Sequence, residues 1–385
     1  MPALEALASM RAEAEARLRR LAEDGLARRL RLPAGIDLVS NDFLGLADHP
    51  RLVTRMQESL GVLGVGSGGS RLLRGHREVF QQLEDRLAAF SGTEAALLFA
   101  SGYAANLGLL QALLEPGDLV LSDELNHASI IDGLRLAGSR KFVYRHQDLN
   151  ALETVLRAPR PARTFIVTES VFGMEGDRTP LLEIQELADA HGALLLVDEA
   201  HATGLYGPRG SGRVEELGLG GRVLASVHTG GKALGAAGAW VAGPAWLREL
   251  LINRARSFVF STAPLPVLTA ALEAALDLVQ EEPERRREVH RKAALLRAGL
   301  GEHGQATPGE SPIVPLMVGE NRAALALQEG LAAAGFDARA VRPPTVPKGT
   351  ARLRITVRYP VGDDDLLRFA ETVGRLCRDA VPAGA

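Results

Sequence analysis

Short apolar runs alternate with amphipathic segments from about residue 77 to residue 242. The apolar runs predict strands and the amphipathic segments predict helices. Because the strands are apolar throughout, helices should cover both faces of a largely parallel sheet, an α/β arrangement. The predicted strands are Ala95–Phe99, Leu119–Ser122, Phe142–Tyr144, Thr164–Thr168, Ala193–Val197, Val223–Val227 and Ala239–Ala242, and the helices between them include Val79–Phe90, Ala105–Leu114, Ala128–Ala137 and Leu181–His191.

The pattern changes towards both ends of the chain. A charged helix over Leu4–Arg29 and a short strand entering a turn over Ile36–Phe43 predict an N-terminal arm, residues 1–45. After Pro264 long helices are followed by fewer strands, which predicts a large domain over 46–281 and a smaller α+β domain over 282–385. The elements expected there are helices Val267–Gln280, Arg285–His303 and Arg322–Ala334, strands Ile313–Met317 and Ala351–Val357, and a last helix from Asp363.

Length and composition are consistent with this division. A chain of 385 residues exceeds what one core of about 250 residues accommodates.

The net charge of −3, with dispersed arginines, gives no reason to expect a nucleic-acid partner. We expect no membrane partner, because no apolar run approaches ~20 residues. A single cysteine and an N-terminus without a signal-peptide core favour a cytoplasmic location.

Some short motifs match nucleotide-binding patterns, but the residues next to them do not fit such sites. Gly64–Gly69 fits the dinucleotide pattern, but Val53–Leu60 before it reads as a helix instead of the required strand. Asp198-Glu-Ala-His201 matches a motif of helicase ATPases, and Gly230–Lys232 resembles part of a phosphate-binding loop. A phosphate loop needs a glycine five positions before its Gly-Lys pair and a serine or threonine after the lysine, and this chain has neither. An NAD enzyme and an ATP enzyme are therefore both weak alternatives.

An acid and a lysine stand where pyridoxal phosphate chemistry needs them. Asp198 ends an apolar strand, at the edge where open α/β sheets bind ligands, although a helix N-cap is an equally simple reading. A carboxylate of this kind could pair with the cofactor's ring nitrogen and keep the ring electron-withdrawing. Lys232 follows another apolar strand among small residues, where burial would favour the free amine that forms an imine.

Further residues could complete a cofactor site with Asp198 and Lys232. Ser101-Gly-Tyr103 precedes a predicted helix and offers backbone N–H groups for a phosphate, to which the Thr229 hydroxyl could add. His127 follows a strand end and could stack on an aromatic cofactor ring, although a polar loop histidine is at least as common.

Together these segments resemble the α-oxoamine synthases, which are fold-type I pyridoxal-phosphate enzymes. The resemblance runs from Ser40 nearly to the C-terminus and covers only the first thirty-odd residues weakly. Its motifs are Ser40–Leu46, Gly66–Arg71, Leu98–Asn106, Asn126–Ser129, Asp198–Gly204, Thr229–Lys232 and Phe260–Thr262.

The resemblance implies a role for individual residues. Lys232 would hold pyridoxal 5′-phosphate, Asp198 would pair with the pyridine nitrogen, His127 would stack on the ring, and His201 would bind the phenolic oxygen. The phosphate would be held by Gly102, Tyr103 and Thr229, with Thr262 reaching the phosphate of a partner in a homodimer, and the substrates would be contacted by Asn41, His127, Arg354, Thr345 and Arg19.

One position departs from the family pattern. Gly173 stands where the family usually has a serine that contacts the cofactor, so His201 or water must replace that hydrogen bond. The departure leaves open an alternative, a cofactor-binding or regulatory protein without turnover, which the complete set of acid, lysine and histidines disfavours.

Within the family, Gly66–Arg71 and Arg342–Pro347 most resemble the members that condense L-alanine with a pimeloyl thioester in biotin synthesis. Members that use glycine more often carry threonine where Ser70 stands. The nearest alternative activities are the condensation of glycine with acetyl-CoA to 2-amino-3-oxobutyrate, or a dual specificity for both substrate pairs. The sequence leaves open whether the acyl carrier is coenzyme A or a carrier protein.

Overall fold

The structure is a computed structural model that describes residues 2–160 and 163–379. Its first elements, in chain order, are α1 (Pro2–Glu23), β1 (Ile36–Asp37), α2 (Pro50–Leu63), α3 (Glu78–Ser91), β2 (Ala95–Phe99), α4 (Gly102–Leu113), β3 (Leu119–Asp123), α5 (Ala128–Ala137), β4 (Arg140–Tyr144), α6 (Leu149–Arg157), β5 (Thr164–Glu169), α7 (Leu181–His191) and β6 (Leu194–Asp198). The remaining elements are α8 (Arg213–Glu216), β7 (Ala225–Thr229), β8 (Ala239–Gly243), α9 (Ala245–Arg254), α10 (Arg256–Val259), α11 (Leu268–Glu281), α12 (Pro283–Glu302), β9 (Ile313–Gly319), α13 (Asn321–Ala333), β10 (Phe336–Asp337), β11 (Ala340–Val341), β12 (Ala351–Thr356) and α14 (Asp363–Asp379).

A seven-stranded sheet with the order β2-β8-β7-β6-β5-β3-β4 forms the centre of the molecule. All its pairings are parallel except those of β8, which runs antiparallel to β2 and β7. Successive residues of one strand enter opposite cores, as Ile166 and Val167 do, because side chains alternate across a strand. The predicted α/β fold with a mostly parallel sheet is confirmed.

A smaller sheet lies towards the C-terminus. Its order is β11-β12-β9, with antiparallel pairing, and its core includes Val314, Leu353 and Phe369. The N-terminal segment joins this region, since Ile36 pairs with Phe336 and Leu38 is buried in the same core. The domain boundaries at 45/46 and 281/282 stay predictions.

Several elements differ from the sequence-based prediction. The first helix ends at Glu23 instead of Arg29, because Gly25 adopts a left-handed conformation with φ of 66° and ends the helix. Strand β7 begins two residues later than predicted, at Ala225. The elements that were not predicted are α6, α8, α9, α10 and the two-residue strands β10 and β11. Within residues 2–160 and 163–379, no helix is long and apolar enough to cross a membrane.

Candidate active site

A cavity of about 770 Å³ opens at the carboxyl ends of the central parallel strands. This is the edge at which α/β sheets bind ligands, because the connecting loops diverge there. Its wall is completed by the segment after β1, the loop between β11 and β12, and β12 itself. It brings together the sequence-predicted residues Asn41, His127, His201, Lys232, Thr345 and Arg354.

Lys232 and His201 form the contact at the centre of the cavity. The Lys232 Nζ atom lies 2.7 Å from His201 Nε2. Burial lowers the pKa of Lys232 to about 8, against the opposing charges of Asp198 and Glu169. About a tenth of the amine is therefore uncharged at pH 7, far more than for an ordinary lysine, and this is the form that acts as a nucleophile or base.

The neutral form of His201 is favoured by its surroundings. Burial lowers its pKa well below the ordinary value, and the positive charges of Lys232 and Arg354 lower it further. Its Nδ1 atom is buried without a hydrogen-bond partner in the structure. Because Nδ1 has almost no exposed surface, Nε2 beside Lys232 is the ring nitrogen placed to contact a ligand.

Gly173 lies against the His201 ring. A Cβ atom added at Gly173 would overlap His201 Nε2, so any side chain there would displace the imidazole. The Gly173 carbonyl accepts a hydrogen bond from Arg354 Nε. One backbone position thereby contacts both a candidate cofactor ligand and a candidate substrate ligand.

A chain of hydrogen bonds holds Asp198 and His127 in fixed relation. Asn106 Nδ2 donates to Asp198 Oδ2 over 2.7 Å and to Ser129 Oγ over 2.9 Å. Ser129 Oγ lies 2.8 Å from His127 Nδ1, and the Ser129 backbone N–H also donates to that nitrogen. Because His127 Nδ1 is an acceptor, its proton resides on Nε2.

Glu169 is a second buried carboxyl group beside Asp198, one that sequence reasoning missed. It ends β5, lines the cavity and accepts the His127 backbone N–H over 2.7 Å. Burial and the neighbouring Asp198 charge raise the pKa of Glu169 to about 8. Its position at the end of an apolar strand could have indicated a site residue, but Glu169 lies outside the motifs that carry the family resemblance.

The N-terminus of α4 and the end of β7 form a cradle suited to a phosphate. A Cβ atom at Gly102 would lie 3.9 Å from the Thr229 Cβ atom, so the helix start and the strand end are close neighbours. The first N–H groups of a helix have no intrahelical acceptor and carry partial positive charge. With the His201 imidazole beside Lys232 and the Asp198 carboxylate held by Asn106, the residues present fit pyridoxal phosphate.

Arg354 reaches the cavity from β12. Its Nη2 donates to Asn41 Oδ1 over 2.8 Å and its Nη1 to Thr356 Oγ1 over 2.9 Å. Burial lowers the pKa of Arg354 to about 10, which leaves it charged at neutral pH. A guanidinium group has five N–H donors, so one remains on each terminal nitrogen to bind a carboxylate.

Arg19, Tyr103 and Thr262 do not line the cavity, although the Tyr103 ring meets the His127 ring edge-on at 6.4 Å. Arg19 is exposed on α1 and does not line the cavity, whereas Arg28 does and donates to Thr345 Oγ1 over 2.9 Å. Tyr103 is exposed, with its hydroxyl bonded to Asp132. Thr262 is exposed and forms a β-bridge with Ser70 instead of lining the cavity. Their suggested roles stay predictions.

The described part of the chain contains no group of three or more His, Cys, Asp or Glu side chains arranged to hold a metal ion.

Known proteins resemble the chain over most of its length. The model of the aminotransferase class I and II family matches residues 33–372. An 8-amino-7-oxononanoate synthase from Geobacter sulfurreducens is 47% identical over 94% of this chain and 97% of its own. The protein of that name from Anaeromyxobacter sp. (strain K) is 48% identical over 90% of this chain and 88% of its own.

Solved structures agree with these relatives. A serine palmitoyltransferase from S. paucimobilis, with bound PLP and myriocin, superposes with a TM-score of 0.89 at 28% identity, covering 96% of this chain and 98% of its own. An 8-amino-7-oxononanoate synthase from Francisella tularensis gives a TM-score of 0.78 at 26% identity, covering 90% of this chain and 98% of its own. Sequence, fold and site thus agree, and the chain belongs to the aminotransferase class I and II family.

Proposed function

We propose that this protein is a pyridoxal-phosphate-dependent acyltransferase that condenses L-alanine with a pimeloyl thioester. The products are 8-amino-7-oxononanoate, carbon dioxide and a free thiol, and the reaction belongs to biotin biosynthesis. The observation that carries the proposal is the cavity that contains Lys232, His201 and Arg354 next to the Asp198 carboxylate. The relatives named 8-amino-7-oxononanoate synthase support the product, and the resemblance of the sequence motifs supports the substrate pair.

The cofactor withdraws electrons from the α carbon of a bound amino acid. Lys232 would hold it covalently, and its free amine then takes the α proton, for which a pKa of about 8 is suited. Asp198 would hold the protonated ring nitrogen, with the carboxylate fixed in place by Asn106. Gly102, Tyr103 and Thr229 would hold the phosphate.

Arg354 binds the alanine carboxylate in this proposal. Its contacts with Gly173, Asn41 and Thr356 fix the guanidinium plane and leave an N–H on each terminal nitrogen. Charge-assisted bonds of this kind orient the substrate as well as hold it.

His127 is the proposed proton donor to the thioester carbonyl and the later ketone. The bonds to its Nδ1 leave the proton on Nε2, where it can stabilise negative charge on a substrate oxygen. His201 would bind the phenolic oxygen of the cofactor through Nε2, the nitrogen that lies beside Lys232.

The distal carboxylate of the pimeloyl group is assigned to Arg28 and Thr345. They lie at the outer wall of the cavity and are joined by a 2.9 Å hydrogen bond. Arg28 is the arginine that lines the cavity next to Thr345, and the role predicted for Arg19 stays a prediction.

The proposed assembly is a homodimer in the cytosol. Thr262 is exposed on its own subunit and is free to approach a partner's phosphate cradle. With one cysteine, the chain cannot form an internal disulfide, which fits a reducing compartment.

The test is to incubate the purified protein with pyridoxal phosphate, L-alanine and pimeloyl-CoA. Mass spectrometry should detect 8-amino-7-oxononanoate, with one free thiol released for each product molecule. Lys232→Ala should abolish both signals while the protein stays folded. Formation of 2-amino-3-oxobutyrate from glycine and acetyl-CoA, without product from the first pair, would contradict the proposal.

A further inference from the structure

A second cavity, here called the α12 cavity, lies between helix α12 and the loop that follows His201. Its volume is about 390 Å³, and its wall includes residues 205–208 of that loop. On α12 the wall residues are Pro283, Arg286, Arg287 and His290, whose spacing of three and four positions puts them on one face of the helix. Among the described residues, none lines both this cavity and the active-site cavity.

Two of the three arginines on this wall have no acidic partner. Arg178 is paired with Glu310. Arg286 and Arg287 form no ion pair within the part of the chain that the structure describes. Arg287 is exposed, so its guanidinium group is accessible to a ligand in the cavity.

The carboxylates near these arginines are mostly engaged elsewhere. Glu216, the acidic residue on the wall, lies 2.8 Å from Arg213. Glu215 lies 2.6 Å from Arg209. Glu284 remains to oppose the charge of Arg286. One carboxylate against two guanidinium groups leaves the wall with an excess of positive charge.

Arg286 is the buried member of this pair, with 7% of its surface exposed. Its terminal nitrogens donate to the carbonyl groups of Val279 and Pro208, which fix the guanidinium plane. Three of its five N–H donors remain for a ligand. Burial lowers the pKa of Arg286, and the neighbouring charge of Arg287 lowers it further. An anion in the cavity would relieve this repulsion.

We propose that the α12 cavity binds a phosphate group, either inorganic phosphate or the phosphate of a small monoester. A carboxylate has two oxygens, which one guanidinium fork satisfies. A phosphate has three or more acceptor oxygens and up to two negative charges, so it can accept from Arg286 and Arg287 together. The inference does not depend on the proposed function, because the cavity lies outside the active site.

The test is isothermal titration calorimetry of the protein loaded with pyridoxal phosphate, at an ionic strength held constant with chloride. The probes are inorganic phosphate, glycerol 3-phosphate and succinate. Phosphate should bind at one site per subunit, and the visible absorbance of the cofactor should not change. In Arg287→Ala the Kd for phosphate should rise roughly tenfold or more, because a charged hydrogen-bond donor is lost. Arg375→Ala on α14, an exposed arginine outside the cavity, is the matched control and should leave the Kd unchanged.

Several outcomes would overturn the inference. They are the absence of saturable phosphate binding, a Kd that Arg287→Ala leaves unchanged, and a Kd that rises equally in Arg375→Ala. A fall in cofactor absorbance would place the phosphate in the active site, and tighter binding of succinate would make the cavity a carboxylate site. If the inference holds, tighter binding of glycerol 3-phosphate than of inorganic phosphate identifies a monoester as the ligand, and the reverse order identifies inorganic phosphate.

Discussion

Because Gly173 has no side chain, the His201 imidazole can lie beside Lys232. His201 Nε2 occupies the space that a Cβ atom at this position would need, and that nitrogen contacts Lys232 Nζ. The sequence identified Gly173 as a departure from the family pattern. The structure supplies a physical reason, because glycine is the residue that leaves the ring room to reach the lysine.

Gly173→Ala should therefore displace His201 without adding a hydroxyl group. We expect a loss in kcat of roughly tenfold to a hundredfold, the usual effect of misplacing a reacting group by about 1 Å. The uptake of pyridoxal phosphate by the apoprotein, followed by visible absorbance, should also weaken. Gly117→Ala is the control, since a Cβ atom there meets nothing within 4 Å. Unchanged kcat and cofactor uptake in Gly173→Ala would contradict the assigned role.

The sequence identified some residues of the candidate site and missed others. Lys232, Asp198 and His127 could be named because each follows an apolar strand within a recognisable motif. Glu169 and Asn106 act through contacts with residues far away in the chain, Glu169 with His127 and Asn106 with Asp198. Spacing along one sequence does not encode such contacts, so these residues required the fold.

At the scale of elements, His146 joins the loops that flank the active site. Its Nδ1 lies 3.0 Å from Asp123, before the His127 loop, and its Nε2 lies 2.8 Å from Asp177, after Gly173. The ring also meets Phe172 edge-on at 4.5 Å. Burial opposes a charge here, but the hydrogen bonds and charges of Asp123 and Asp177 together raise the pKa of His146 to about 10.

Because this pKa is raised above the unfolded value of 6.5, the ion pairs stabilise the folded protein fully below pH 6.5. That contribution is lost as the pH rises towards 10. His146→Gln should reduce the free energy of unfolding by roughly 1–3 kcal/mol at pH 6, allowing for solvent screening, and by much less at pH 10. Urea unfolding of both proteins at the two pH values measures this difference. A difference independent of pH would show that the ring acts through packing alone.

The elements themselves were predictable in proportion to the strength of their local signals. The central strands β2, β3 and β5 are continuous apolar runs, and each lies where the pattern placed it, within about a residue at either end. Helix α6 is short, with nine residues, and its amphipathic pattern was overlooked. Strands β10 and β11 have two residues each, too few for any periodicity. β10 forms by pairing with the distant β1, and β11 by pairing with the next strand, β12.

At the scale of the whole molecule, exposed apolar side chains gather on one surface. Val62 lies in the last turn of α2 and Val65 just after it, Leu72 and Leu73 lie in the loop that follows, and Phe260 follows α10. Leu73 is 85% exposed and Phe260 is 73% exposed. The Ser70–Thr262 bridge joins these loops, and the buried Arg71–Glu84 pair fixes the loop conformation. A rigid apolar surface of this kind is typical of a protein–protein interface.

If this surface is the homodimer interface, Leu73→Arg should dissociate the dimer by burying an unpaired charge in it. Analytical ultracentrifugation should then give the mass of one subunit, and the variant should retain less pyridoxal phosphate because Thr262 no longer reaches the partner. Leu367→Arg on α14, a change at a side chain that is also exposed, should leave both properties unchanged. A Leu73→Arg protein that stays dimeric would place the interface elsewhere, and a monomer with full cofactor retention would exclude Thr262 from the phosphate site.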